Sequence, residues 1–112
     1  MAIRDLTQEN LQKDVLENAQ PVVIKAYATW CGPCMYMAPV FQEIAKEYQE
    51  KAVFFELNVD HARDLAIHFG ISSIPTLIFV KNGQVVSKET GYMDREDLSA
   101  KIKQFLGTAQ AK

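Results

Sequence analysis

Apolar positions early in the chain recur at helical spacing: Leu11, Val15 and Leu16 form one stripe, with Thr7 placed to cap it and Pro21 to end it. Val22 to Tyr27 is then an apolar run broken only by Lys25, the pattern of a strand buried on both faces. Val40, Phe41, Ile44, Ala45 and Tyr48 return to helical spacing, with Glu43, Lys46, Glu47 and Glu50 on the opposite face. Ala52 to Val59, rich in Val and Phe and broken by one charge, Glu56, predicts a second central strand. Ala62, Leu65, Ala66 and Phe69 give a short third helix that Gly70 stops. Thr76 to Lys81 and Gln84 to Glu89 flank Asn82-Gly83, the signal for a two-residue turn between antiparallel strands. Leu98, Ile102, Phe105 and Leu106 mark a last helix, capped near Asp94 and ending at Gly107 before a polar, frayed tail, Thr108 to Lys112. Ile3 to Leu6 adds a short strand at the start.

This alternation predicts an α/β fold: one central mixed β-sheet of about five strands, flanked by about four helices. There is no internal repeat and no linker-like stretch, so residues 1–107 are expected to form a single domain, with 108–112 as its tail. A chain of 112 residues, 48% hydrophobic and 23% charged, can build its core without disulfide staples. Its formal net charge of -2, from 12 basic and 14 acidic side chains, offers no positive field to gather phosphates, which argues against nucleic acid and anionic membrane as partners. No apolar run approaches the roughly 20 residues of a membrane span, and Met1 to Asn10 turns polar before a signal peptide could develop. The expectation is a cytoplasmic, monomeric protein.

Two cysteines, three positions apart, cannot staple distant elements but suit a local redox pair. They fall in Ala28-Thr29-Trp30-Cys31-Gly32-Pro33-Cys34, between the end of the first central strand and the head of the second helix. A helix N-terminus beyond the C-terminal edge of a sheet presents unpaired N–H groups and a positive dipole end, both of which favour an anion at Cys31. An unperturbed thiol, with pKa of about 8.5, is only about 3% thiolate at pH 7, so a lowered pKa directly increases the nucleophile available. One turn later Cys34 comes within reach of Cys31, and the two can close a small ring. Pro33 sits in the first helical turn, where its missing N–H costs nothing, and Gly32 lets a partner's backbone approach. Trp30 beside the cysteines is expected to position and shield the site, whereas Tyr36 and Met37 are assigned to the core. His61 and His68 are expected at the surface, and two cysteines supply too few ligands for a metal.

Trp30-Cys31-Gly32-Pro33-Cys34 and the element order around it resemble the thioredoxin family over nearly the whole chain. That resemblance implies the thioredoxin fold and a protein disulfide reductase, with Cys31 as the attacking thiolate and Cys34 as the resolving thiol. It implies further that the Ile74-Pro75 bond is cis, that Pro75 faces the disulfide, and that Ile74 pairs with substrate backbone; Gly91 and Tyr92 would border the docking surface. No bound cofactor is implied beyond the redox-active disulfide itself. The partners would be disulfide-containing target proteins and an external NADPH-dependent flavoprotein, thioredoxin reductase.

Three positions depart from the family. Where it usually has a buried Asp this chain has Lys25, and where it has a Lys this chain has Glu56. Both interrupt adjacent central strands, so a charge-reversed pair is expected beneath Cys34, with either member available as a proton relay; a purely structural pair is the plainer alternative. Met35 replaces a basic residue and makes the docking face more apolar; with Tyr92 and Met93 it is placed to widen or retune target choice, and ordinary packing is the plainer alternative. Gly32-Pro33 between the cysteines matches reducing members rather than oxidases or isomerases, which usually place a histidine there. A binding module whose redox step is incidental is the rival of a different class, separable by cysteine substitution.

Overall fold

The computed structural model describes residues 2–110. Five strands form one sheet, β1 (Ile3–Asp5), β2 (Val22–Tyr27), β3 (Val53–Asn58), β4 (Thr76–Lys81) and β5 (Gln84–Thr90), in the order β1-β3-β2-β4-β5. β1 and β2 both run parallel to β3, while β4 is antiparallel to its neighbours β2 and β5, so the sheet is mixed as expected. The helices are α1 (Gln8–Leu11), α2 (Gly32–Tyr48), α3 (Arg63–His68) and α4 (Arg95–Gln110).

Side chains alternate across the central strands with period two, and the core divides accordingly. Val23, Phe54, Leu77 and Phe79 pack with Met37, Phe41 and Ile44 of α2 and Leu98, Ile102 and Phe105 of α4. Val22, Ile24, Ala26, Phe55, Leu57, Ile78 and Val80 pack on the other side with Leu11, Val15, Leu65 and Phe69. Burial on both faces explains why β2 and β4 read as continuous apolar runs.

Three details differ from the sequence reading. The first helix widens after Leu11 into a π-helical stretch, Gln12–Leu16, closed by a bond from Glu17 N–H to Gln12 O at 2.9 Å. The register of β4 and β5 shifts between Phe79 and Val80, a bulge that hydrophobic alternation does not encode. Asp94 does cap α4, accepting from Asp97 N–H at 2.9 Å, but the helix runs through Gly107 to Gln110 instead of ending there. Glycine inside a helix costs only about 1 kcal/mol relative to alanine, and Gly107 does not take the left-handed conformation that terminates helices. Residues 111–112 of the expected tail lie outside the described residues.

Asn82 (φ 52°) and Gly83 (φ 79°) form the expected hairpin turn with two positive φ angles. A Cβ on Gly83 would also lie 2.5 Å from the carbonyl oxygen of Leu16. Gly83→Ala is therefore expected to lower unfolding free energy by about 2 kcal/mol or more, through backbone strain and forced separation of the hairpin from the π-helical stretch. Urea denaturation checks this, and an unchanged midpoint would show that the contact is soft.

Candidate active site

β2 delivers the chain at Tyr27 to the C-terminal edge of the sheet, and a tight turn follows in which Cys31 N–H bonds to Ala28 O at 3.3 Å. Cys31 is the N-cap of α2. Its sulfur accepts the backbone N–H of Cys34 at 3.2 Å, taking one of the donors that a helix start leaves unpaired. Cys31 and Cys34 are joined in a disulfide, their Cα atoms 5.3 Å apart. Cys34 is fully buried, whereas Cys31 retains a sliver of exposed surface, so an incoming sulfur reaches Cys31 first. Pro33 lies in the first turn, and a Cβ on Gly32 would meet nothing within 4 Å, so the helix head is open to an approaching backbone.

The cysteines and Ala28 form a small buried cluster against which Tyr27, Val59 and Ile74 pack. The Ile74-Pro75 bond is cis, as the family resemblance implies. Pro75 O accepts from Gly91 N–H at 2.8 Å, which brings the start of the Gly91-Tyr92 segment beside the proline. Gly91 has open space around it and Tyr92 is half-exposed, while Met93 turns inward to the α2–α4 core and does not join the docking face. Trp30 is 70% exposed, and its indole N–H donates to Asp60 Oδ2 at 2.7 Å.

Asp60 is the site residue that reading the sequence missed. The signal is present in the strand pairing. Tyr27 opposes Asn58 at the ends of β2 and β3, Val59 N–H bonds to Tyr27 O at 2.9 Å, and residues just past both strand ends become neighbours. Asn58 Oδ1 accepts from the N–H groups of Asp60 and His61, a side-chain turn that fixes where Asp60 points. Tyr36 corrects an expectation: it is 76% exposed. Cys34, Met37 and Phe41 occupy the buried face of α2, and Tyr36 falls outside that stripe beside half-exposed Met35. His61 and His68 are exposed as expected. Among the described residues, no group of three or more His, Cys, Asp or Glu side chains could hold a metal ion.

Lys25 and Glu56 oppose each other in the β2–β3 register, and Lys25 Nζ lies 3.5 Å from Glu56 Oε2. They share the sheet face under α2, where the ammonium stands 5.1 Å from the Phe41 ring and 5.3 Å from the Tyr27 ring. The pair is lopsided: the Lys25 side chain is 1% exposed and that of Glu56 23%. Loss of hydration pulls the Lys25 pKa below its ordinary 10.5, and the attraction and hydrogen bond of Glu56 only partly oppose this. Burial also raises the Tyr27 pKa, helped by the negative charges of Glu56 and Asp5 and opposed by a hydrogen bond with Asn58. Glu56 opens to solvent, lining a cavity of about 560 Å³ with Asp5, Tyr27, Asn58 and Asp60. It also lines a second, of about 580 Å³, with Pro39 and Lys46.

A disulfide between two cysteines one turn apart at the head of a helix, on a mixed sheet covered by helices, defines a thiol–disulfide oxidoreductase. Residues 2–104 match the thioredoxin family model, and the chain belongs to that family. It is 36% identical over 103 residues to a thioredoxin of Chlorobaculum thiosulfatiphilum, covering 92% of this chain and 95% of that protein. It is 40% identical over 105 residues to a thioredoxin of Alicyclobacillus acidocaldarius subsp. acidocaldarius, covering 94% and 99%. The crystal structure of Malassezia sympodialis thioredoxin superposes with a TM-score of 0.83 at 34% identity, over 93% of this chain and 90% of that one. The protein is accordingly a protein-disulfide reductase of the thioredoxin fold.

Proposed function

We propose that the protein reduces disulfides in a broad set of target proteins, with Cys31 as nucleophile and Cys34 as resolving thiol. The Cys31 thiolate attacks one sulfur of the target disulfide; a Cys31–target bond forms, and the other target sulfur leaves as a thiolate that takes up a proton. Cys34 then loses its proton and attacks the Cys31 sulfur. The enzyme disulfide forms, and the second target sulfur departs reduced. Two electrons have passed from the enzyme dithiol to the target. The observation that carries this reading is the Cys31 sulfur at the α2 N-cap, accepting the Cys34 N–H where negative charge develops. Trp30, Ile74, Pro75, Gly91 and Tyr92 form the docking rim, with Gly32 and Pro33 keeping the helix head bare and stiff.

An external NADPH-dependent flavoprotein reductase returns the dithiol, so the chain itself carries electrons without a bound cofactor. We place it in the cytoplasm, acting as a monomer through one domain spanning 1–107. For the proton of Cys34, the acceptor is either Glu56 or the Lys25 amine in its neutral form, with Glu56 the outlet to solvent. Support comes from the depressed Lys25 pKa, its place between Tyr27 and Phe41 on the face α2 covers, and the exposure of Glu56 to an open cavity.

Insulin reduction driven by NADPH and a thioredoxin reductase tests the reading. Turnover is expected with the wild-type chain. Lys25→Met and Glu56→Gln are each expected to displace the pH profile of the rate, since each interrupts the proton route at a different group. Unchanged profiles in both variants would rule out the relay and leave the pair structural.

A further inference from the structure

Lys88 stands on the edge strand β5, opposite Ile78 of β4, and Ile78 faces the side of the sheet that packs α3. Its ammonium crosses to the end of α3 and donates to Phe69 O at 2.8 Å and to Gly70 O at 3.4 Å. The other bonds of that helix end are already made: Gly70 N–H goes to Ile67 O at 3.0 Å and Ile71 N–H to Ala66 O at 2.9 Å, around Gly70 at φ +67°. Lys88 supplies donors to the carbonyls of both Phe69 and Gly70. A cation at this end also suits the negative pole of the helix.

The bond reaches past α3 itself. Phe69 and Gly70 open the segment that runs through Ile71, Ser72 and Ser73 to Ile74 and Pro75. The far end of this segment is tied down by Thr76 Oγ1 donating to Ser73 O at 2.6 Å and by the pairing of Thr76 with Thr90. Lys88 holds the near end to the same edge strand, two residues before Thr90, so β5 clamps the segment at both ends. Ile74 packs on the cysteine cluster from within that clamp.

We infer that Lys88 is a positioning residue for target docking: by bonding the carbonyls of Phe69 and Gly70 it fixes the segment that presents Ile74 to the target backbone. This rests on the docking role proposed above for Ile74. The bonds of Lys88 go to backbone carbonyls, and Tyr27, Val59 and Ile74 are what pack on the cysteine cluster, so its loss changes how a polypeptide docks and leaves the sulfur chemistry alone.

The test compares the wild-type chain with Lys88→Met and Lys88→Arg, using insulin and the small disulfide 2-hydroxyethyl disulfide as substrates. Lys88→Met is expected to raise KM for insulin about threefold to tenfold, the span that the net worth of a typical intramolecular hydrogen bond allows, with kcat and the small-disulfide rate held within about twofold. Lys88→Arg is expected to restore the insulin KM, since a guanidinium can donate to both carbonyls. An unchanged insulin KM in Lys88→Met overturns the inference, as does a parallel fall with the small disulfide or a failure of Lys88→Arg to restore. Failure of the wild-type chain to reduce insulin, while it reduces the small disulfide, overturns the docking reading instead and is seen in the wild-type arm alone.

Discussion

With Cys34 replaced by Ser, the protein is expected to become a trap: target proteins stay joined to Cys31, and insulin turnover falls by about a thousandfold or more. The size follows from geometry. In the wild-type chain the second sulfur is held one helical turn from the first, with Cα atoms 5.3 Å apart. Well-oriented intramolecular groups act at effective molarities of about 10⁵ M or more, which no external thiol approaches. Cys34→Ser keeps the nucleophile and its N-cap position but removes the attack that releases it. Non-reducing gels and intact-mass spectrometry should show adducts that dithiothreitol dissolves. Cys31→Ser should give neither adduct nor turnover, because buried Cys34 offers an approaching disulfide no accessible sulfur. Adducts on Cys34 in that variant would reverse the assigned roles, and wild-type turnover in Cys34→Ser would remove the mixed-disulfide cycle altogether.

The element order and both central strands were legible because strands buried on two faces declare themselves as apolar runs. The redox pair was legible because its chemistry depends on spacing along one helix, a local property. Lys25 and Glu56 could be matched from sequence because each is the single charge in such a run, and the register does set them opposite each other. Contacts that join distant segments through one side chain were not legible. Asp60 reaches Trp30 only because β2 and β3 end side by side, and Lys88 reaches Phe69 only because β5 forms the edge beside α3. Tyr36 departs from expectation for a different reason: aromatic character favours a core, but helical phase decides which side of α2 meets the sheet. Gly107 failed as a stop signal because glycine terminates a helix through a left-handed backbone, which its presence permits but does not impose.

The two halves of the buried ion pair are expected to respond unequally to removal. Glu56→Gln leaves Lys25, with 1% of its side chain exposed, without a counter-charge and should cost about 3 kcal/mol of unfolding free energy at pH 7, the low end for breaking a buried pair because the amine can shed its proton. Lys25→Met leaves Glu56 with 23% exposure and open cavities beside it, so the carboxylate recovers hydration while a methionine fills the slot between Phe41 and Tyr27. That variant should be as stable as wild type, or more stable by about 1 kcal/mol. The pH dependence follows from the direction of the Lys25 shift. Because its folded pKa lies below 10.5, there is a window beneath 10.5 in which the unfolded chain holds a proton that the folded chain has released. Wild-type stability therefore gains a rising contribution as pH climbs through that window, and Lys25→Met lacks it. Tyr27 works the other way, since its raised pKa makes the folded state retain a proton above pH 10.0 and lowers stability there. Urea denaturation of the three oxidised proteins between pH 7 and pH 9.5 isolates the lysine effect as the difference between wild type and Lys25→Met. Equal losses in both variants would mean that the pair is a net attraction outweighing the dehydration of Lys25, and the neutral amine invoked for the proton of Cys34 would lose its physical basis.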